Sequence, residues 1–381
     1  TIQTATAENR VYSYGEDPGT LNRVSSNGHW AVGADDYFQT GSYLIDIVND
    51  PANYISIEGG ELYDVTNDCL CVGSEYEISG TEEAPIRYPR AAYWKDGVWT
   101  RLPLPAEVYG RSYARCVSAD GKYIGGMASC YAKDSDIGGK YYPCLWTWND
   151  ETQEYDLTCY NNLDLPANQG FIVNDMTEDG TTLVGYVYAY AGSTVPAMVK
   201  NGAFVCWNKM EWKEWSFEYK GKKMVYDAGF IDDIEEGAEE EYWFDGGLNY
   251  ICGDYVFGHH SVASNVDPET ATGTVRHKAT IYNLATDEFI DESNAVYGCG
   301  VDPDHKFSAS GTTGKYLTKE KGSCGINDYF NLKGDVKVAG VYGMDDSQMI
   351  LACSFIWMNE ALGEYSESPA LVILDKPLLE Q

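Results

Sequence analysis

The chain has 381 residues, 44% of them apolar, and a formal net charge of −33. That composition can supply a core and shows no sign of global disorder. The charge excludes a basic phosphate-binding footprint, so nucleic acid and anionic membrane surfaces are not expected partners. No uninterrupted apolar run of about 18 residues is present, so membrane insertion by a helix is not expected either.

Along the chain one short phrase returns seven times, anchored on Val24, Val65, Val117, Met176, Phe244, Val301 and Met344. Clear copies are Val24-Ser-Ser-Asn27-Gly28-His-Trp-Ala-Val-Gly33, Val117-Ser-Ala-Asp120-Gly121-Lys-Tyr-Ile-Gly-Gly126 and Met176-Thr-Glu-Asp179-Gly180-Thr-Thr-Leu-Val-Gly185. The Val65 copy is one residue shorter and ends at Gly73; the last three copies end at Gly253, Ser310 and Cys353. Asn27-Gly28, Asp120-Gly121, Asp179-Gly180 and Gly246-Gly247 read as two-residue type I′ hairpin turns, with φ > 0 at both central positions. Asp304-His305 and Ser347-Gln348 are worn versions. After each turn, adjacent apolar residues such as Ala31-Val32 and Leu183-Val184 predict a strand buried on both faces. The closing Gly predicts a close backbone approach.

A second phrase follows each first one: Pro89–Trp94, Pro143–Trp148, Pro196–Val199 and Pro369–Ile373, with Ser42–Ile47 and His277–Tyr282 as versions lacking Pro. A further short strand, such as Val98–Leu102, ends each unit. Four antiparallel strands per unit and seven units predict an all-β, seven-bladed β-propeller occupying the whole chain as one domain. The last unit lacks a fourth strand. Residues near 10–14 are expected to supply it by pairing with residues near 369–374, closing the ring and covering an exposed edge.

Together the phrases resemble the HAF-type repeats of uncharacterised extracellular bacterial proteins, through Ser118-Ala119-Asp120-Gly121 to Gly126 and Ala91-Ala92-Tyr93-Trp94. Ser118-Ala-Asp-Gly-Lys122 is also similar to the Ser-Pro-Asp-Gly-Lys phrase of TolB-like propellers. The Gly-His…Trp-Asp signature of WD40 blades is absent. The resemblance implies a propeller, mostly secreted or periplasmic, and no common reaction; it carries over no catalytic residue. A start at Thr1 and the acidic balance agree with a secreted, periplasmic or cell-surface location, with a segment removed upstream.

With strands lettered A to D from the channel outward, B–C loops and D–A connections share one face, which receives the long, variable segments. That face is expected to bind a glycan or protein ligand at the channel mouth. Tyr37, Tyr76, Tyr88, Tyr142, Tyr188, Tyr255 and His259 fall in the B–C segments, and tyrosine suits a binding rim. Arg87 in a B–C loop, with Arg111 and Arg115 in the next D–A connection, supplies positive groups suited to carboxylates. Asp35, Glu75 and Asp254 follow the closing glycines and are expected to line the rim. Two of them at roughly 5–9 Å would allow glycoside chemistry. The expected function is therefore a binding module, with a glycoside-active hydrolase or lyase as the alternative. No cofactor or metal is expected: Cys69-x-Cys71 lacks partner ligands in sequence, and His259, His260 and His277, which flank one loop and could bind a metal, read as solvated. Cys130 and Cys144 flank one loop and could bridge, which sequence cannot decide. Asp232–Glu241 reads as a solvated acidic loop, and a monomer is the default.

Overall fold

The computed structural model describes residues 8–35, 41–106, 108–130, 140–163, 165, 170–188, 194–206, 215–219, 222–226, 242–267, 272–292 and 297–381. The fold is an all-β, seven-bladed propeller of four-stranded antiparallel sheets. The first strand, β1 (Arg10–Ser13), belongs to the seventh blade. Blade one is β2 (Thr20–Val24), β3 (Trp30–Ala34), β4 (Ser42–Asp46) and β5 (Ile55–Ile57). Blade two is β6 (Gly60–Val65), β7 (Cys71–Gly80), β8 (Pro85–Lys95) and β9 (Val98–Arg101). Blade three is β10 (Val108–Val117), β11 (Tyr123–Cys130), β12 (Lys140–Asn149) and β13 (Glu154–Cys159). Blade four is β14 (Phe171–Met176), β15 (Thr182–Tyr188), β16 (Thr194–Lys200) and β17 (Ala203–Cys206). A separate hairpin, β18 (Trp215–Tyr219) with β19 (Lys222–Tyr226), precedes blade five. Blade five is β20 (Tyr242–Cys252), β21 (Tyr255–Asp267), β22 (Thr272–Asn283) and β23 (Glu288–Glu292). Blade six is β24 (Tyr297–Asp302), β25 (His305–Ser310), β26 (Thr313–Thr318) and β27 (Gly322–Gly325), followed by the short helix α1 (Ile326–Tyr329). Blade seven is β28 (Val338–Met344), β29 (Ile350–Asn359) and β30 (Glu364–Ile373), completed by β1.

The expected closure is present in register: Arg10 faces Ile373, and Ser13 faces Ala370. Asn9 fixes the start of this strand. Its Nδ2 donates to Phe330 O and Gln381 Oε1, both at 2.8 Å, and its Oδ1 accepts the Asp375 amide at 2.8 Å.

The chain falls into two units, residues 1–102, 116–122 and 299–381, and residues 103–115 and 123–298. In the first, the consecutive apolar residues of β3 are buried on opposite faces, as the pattern requires. Ala31 and Ile45 pack with Leu21, Ile350 and Leu371 towards blade seven. Val32 and Leu44 pack with Leu62, Val65 and Cys71 towards blade two. In the second, Val184 and Met198 pack against Leu248, Val256 and Tyr282. Full burial of each such side chain contributes about 1.5–3 kcal/mol.

The first strand is bulged in five blades, between Leu21 and Arg23, Leu62 and Asp64, Val173 and Asp175, and within β20 and β28. Gly33, Gly73, Gly126 and Gly185 each lie against the first strand, where an added Cβ would stand between 1.7 and 2.0 Å from a backbone oxygen. No side chain fits there. Cys353 occupies the matching place opposite Val341 in blade seven.

Three expectations are corrected. The turns are not type I′. In Ser25–Gly28 only the Gly has positive φ, 73°, and its amide donates to Ser25 O at 2.9 Å. Asn27 keeps negative φ and acts through its side chain, whose Oδ1 accepts from Ser25 Oγ at 2.7 Å and from the His29 amide at 3.1 Å. Asp120 and Asp179 repeat this with Ser118 and Thr177. Because one residue alone must be left-handed, Cys69 (φ 66°) and Gln348 (φ 58°) can replace the Gly. Second, blade five is offset: Gly246-Gly247 lies inside β20, and the turn is Gly253-Asp254. Its anchor is Ile251, and its closing glycine is Gly258, whose Cβ would meet Gly247 O at 2.0 Å. In blade six, likewise, the turn is Pro303-Asp304 and His305 already begins β25. Third, several presumed loops are strand. β7 and β8 continue as a hairpin past the last β6 pair, Gly60 with Glu75, up to Gly80 with Pro85. Alternating β-branched and aromatic residues there favour a ladder. Among the described residues no helix is long and apolar enough to cross a membrane. Asp232–Glu241 lies outside the described residues.

Candidate functional site

Two groups of polar side chains assemble, one in each unit. The first lies where blades one and two carry their first and second strands. Glu61, on β6 and 2% exposed, accepts a hydrogen bond from Tyr76 Oη at 2.7 Å and another from Tyr63 Oη. Glu61 and Tyr63 are two positions apart, the strand spacing that brings side chains to one face. Asp35, which directly follows the second strand of blade one, is also 2% exposed. Its charge and that of Glu61 act on Tyr76. Burial first, then Glu61, and then Asp35 push the Tyr76 phenol well above its ordinary range, while Arg87 opposes them. The phenol therefore stays protonated and donates to the carboxylate.

Beyond this base the β7–β8 hairpin presents exposed side chains on both faces, Ile78 and Arg87 on the face of Tyr76 and Ile86 and Tyr88 on the other. Ile78 faces Arg87 across the ladder, and Ser79 faces Ile86. Ile78, Ile86 and Tyr88 are exposed. The Arg90 guanidinium lies 5.8 Å from the Tyr88 ring centroid, and its Nε donates to Glu77 Oε2 at 3.1 Å. Blade seven repeats the tyrosine–carboxylate pairing with Tyr342, whose Oη donates to Glu367 at 2.5 Å.

The second group lies in blades three and four. Tyr113 packs against Tyr141 with ring centroids 6.2 Å apart, and Tyr186 meets Tyr188 edge-on at 5.4 Å. Arg111 and Arg115 lie beside them. Each lowers a tyrosine phenol, Tyr141 and Tyr186 respectively, against the larger upward push of burial. Arg115 Nε donates to Val173 O at 3.3 Å.

The predicted residues fall as follows. Asp35, Tyr76 and Arg87 come together in the first group, with Tyr88 on the same hairpin. Arg111, Arg115 and Tyr188 come together in the second. Both arginines lie within the strand β10 rather than in a connection before it. Tyr142 is 2% exposed and part of the core. Glu75 is on β7 and pairs with Arg101 Nε at 3.0 Å. Tyr255 starts β21, and Asp254 is exposed in the turn before it, at the opposite end of the second strand from the one expected. His259 contacts Asn249 at 3.1 Å. Tyr37 lies outside the described residues. Glu61 and Tyr63 were not anticipated, although Glu61-x-Tyr63 just before the anchor Val65 was a readable signal. All eleven cysteines are free thiols, Cys130 and Cys144 included. Among the described residues no group of three or more His, Cys, Asp or Glu is placed to hold a metal ion.

No family model matches the chain, and no curated protein matches it. Solved structures do. TolB from Acinetobacter baumannii is similar at 12% identity and a TM-score of 0.37, over 74% of this chain and 56% of that one. The chain thus spans little more than half the length of that TolB. Oligogalacturonate lyase from Vibrio parahaemolyticus is similar at 11% identity and a TM-score of 0.45, over 96% and 98% of the two chains. A protein described as a 6-phosphogluconolactonase from Bacteroides uniformis is similar at 11% and 0.31, over 93% and 85%. These are likenesses to propellers, and none of them carries an activity to this chain.

Proposed function

We propose that this protein binds a hydroxyl-rich ligand, a glycan, on the blade-two hairpin above Glu61. The observation that carries this reading is the buried carboxylate held by two phenols, with exposed Ile78 and Arg87 on the same face of the hairpin as Tyr76. An exposed apolar side chain beside a fixed polar floor suits a sugar ring, which has one apolar face and a rim of hydroxyls. Arg87 would take a carboxylate if the sugar is acidic. The Tyr–Arg group of blades three and four offers a similar surface in the other unit. A net charge of −33 agrees with a location outside the cytoplasm.

A second reading is favoured by one observation, the nearness of the buried acid Asp35 to the Glu61–Tyr76 pair. Two carboxylates and a phenol are the acid–base groups that glycoside hydrolysis or elimination requires. A glycan panel tests both readings. Binding that falls at least about tenfold in Ile78→Ala and Arg87→Ala, with no product formed, supports the module. Product formation that is lost in Asp35→Asn or Glu61→Gln supports the enzyme. If no glycan binds and none is cleaved, both readings fail.

A further inference from the structure

Three thiols converge at the edge of blade three, and neither group above uses them. Cys130 is the last residue of β11, Cys159 is the last residue of β13, and Cys144 lies between them on β12, directly opposite Cys159. Cys130 Sγ and Cys159 Sγ are 3.9 Å apart. Cys144 and Cys130 are buried, whereas Cys159 is partly exposed. Blade four shows that this is a local feature, because Ala197 faces Cys206 at the corresponding pair.

We propose that Cys130 and Cys159 form a thiol–disulfide exchange site that takes disulfides of small or protein thiols as its substrate. Cys159 is the attacking sulfur because it is reachable and is surrounded by donors. The thiols of Cys130 and Cys144 and the amide of Asn161 hydrogen-bond to it and hold it below the ordinary thiol range, while Cys130 and Cys144 are pushed up. The Cys159 thiolate attacks one sulfur of the external disulfide. That S–S bond breaks, and one thiolate leaves with the electron pair and takes a proton from water. A mixed disulfide remains on Cys159. Cys130 then loses its proton to water, its sulfur attacks Cys159 Sγ, and the second external thiol departs. Two protein thiols are oxidised, and one external disulfide is reduced to two thiols.

Cys130 is the resolving partner rather than Cys144 because of where each is held. Cys144 is fixed on both sides, by Gly126 and by Cys159. Cys130 and Cys159 each end a strand and their Sγ atoms are 3.9 Å apart, so the roughly 2.0 Å of a disulfide is reached by movement of these two strand ends alone.

The test uses the full chain, reduced and then exposed to oxidised glutathione, alkylated, digested without reduction and analysed by mass spectrometry. The expected product is a peptide pair linked through Cys130 and Cys159, with two fewer alkylatable thiols. Cys159 should react with a pyridyl disulfide at least about tenfold faster than Cys324, a partly exposed cysteine outside the cluster. In Cys130→Ser the link should vanish and glutathionylated Cys159 should accumulate. Absence of the Cys130–Cys159 link in the wild-type chain, a Cys144–Cys159 link in its place, or a Cys159 no faster than Cys324 would overturn the proposal. The wild-type result decides even if the variant fails to fold.

Discussion

Oδ2 of Asp175 accepts the backbone amide of Ile251 at 2.7 Å, across from blade four to blade five, while Oδ1 accepts the amide of Met176 beside it at 2.8 Å. Asp64 does the same in blade two, taking Val65 N and Val117 N, both at 2.9 Å. In both cases the carboxylate follows the bulged residue and bridges two phrase anchors. The bulged residue itself makes a second clasp. Asn174 Nδ2 donates to Leu248 O at 2.8 Å and Asn22 Nδ2 to Leu62 O at 3.3 Å; Arg115 Nε, likewise two residues before its anchor, donates to Val173 O at 3.3 Å. Each of these carbonyls belongs to the residue just before the neighbouring blade's own bulge. The bulge therefore turns a side chain towards the next sheet and satisfies a main-chain group there.

This predicts a graded loss of stability. Asp175→Ala leaves two buried amides without their acceptor and should cost about 2–5 kcal/mol. Asp175→Asn keeps one acceptor oxygen and should cost about half as much. Urea denaturation of the two variants, and of Asp64→Ala, measures the difference. Equal stability of all three with the wild-type chain would remove the clasp from the account.

The closing glycines make a sharper contrast. Gly73→Ala places a Cβ 1.7 Å from Glu61 O, and Gly185→Ala places one 1.8 Å from Ile172 O. Both should lose several kcal/mol or fail to fold. Gly97→Ala meets nothing within 4 Å and bears only the strain of φ 86°, about 1–2 kcal/mol. Soluble yield and thermal midpoint report the order.

The turn aspartates give a pH dependence of known sign. Donation from Thr181 and Thr177 holds Asp179 below the usual carboxylate range, and the Lys122 amide and Ser118 do so for Asp120. A group depressed in the folded state adds stability that is present above its unfolded value near 4 and is lost as pH falls through the folded value. Asp120→Asn with Asp179→Asn should thus lower the midpoint at pH 7 and match wild type near pH 2. Both side chains face solvent, so screening keeps the effect below about 1 kcal/mol per site. A deficit that is the same at both pH values would contradict this assignment.

Closure by β1 has its own test. Removing residues 1–13 exposes the edge of β30 from Ala370 to Ile373. The truncated chain should unfold at lower temperature and associate through that edge, as light scattering would show. A monomer of unchanged midpoint would mean that the strand contributes nothing.

The repeat was legible because turn, bulge and close approach each demand a particular residue type at a fixed spacing. Val24 to Gly33 and Met176 to Gly185 show this best. The missing fourth strand at Ile373 was legible for the same reason, since an open edge needs a partner. Blade five misled because Gly246-Gly247 imitates a turn, whereas the true turn, Gly253-Asp254, follows a shorter phrase. The hairpin of β7 and β8 was taken for a loop because pattern alone does not say how far a ladder runs past its neighbour. The Glu61 group was hidden for a different reason. Its members come from β6, β7, β8 and the residue after β3, and only the pairing of Glu61 with Ser74 and of Ile78 with Arg87 brings them to one face.

The site above Glu61 is tested most directly by calorimetric titration of wild type, Arg87→Ala, Glu61→Gln and Asp254→Asn with glycans chosen from a panel of neutral and acidic oligosaccharides. The account predicts saturable binding to at least one glycan, weakened at least about tenfold by Arg87→Ala and by Glu61→Gln and unchanged by Asp254→Asn. Equal affinity in all four proteins, or no binding by the wild-type chain across the panel, would contradict it.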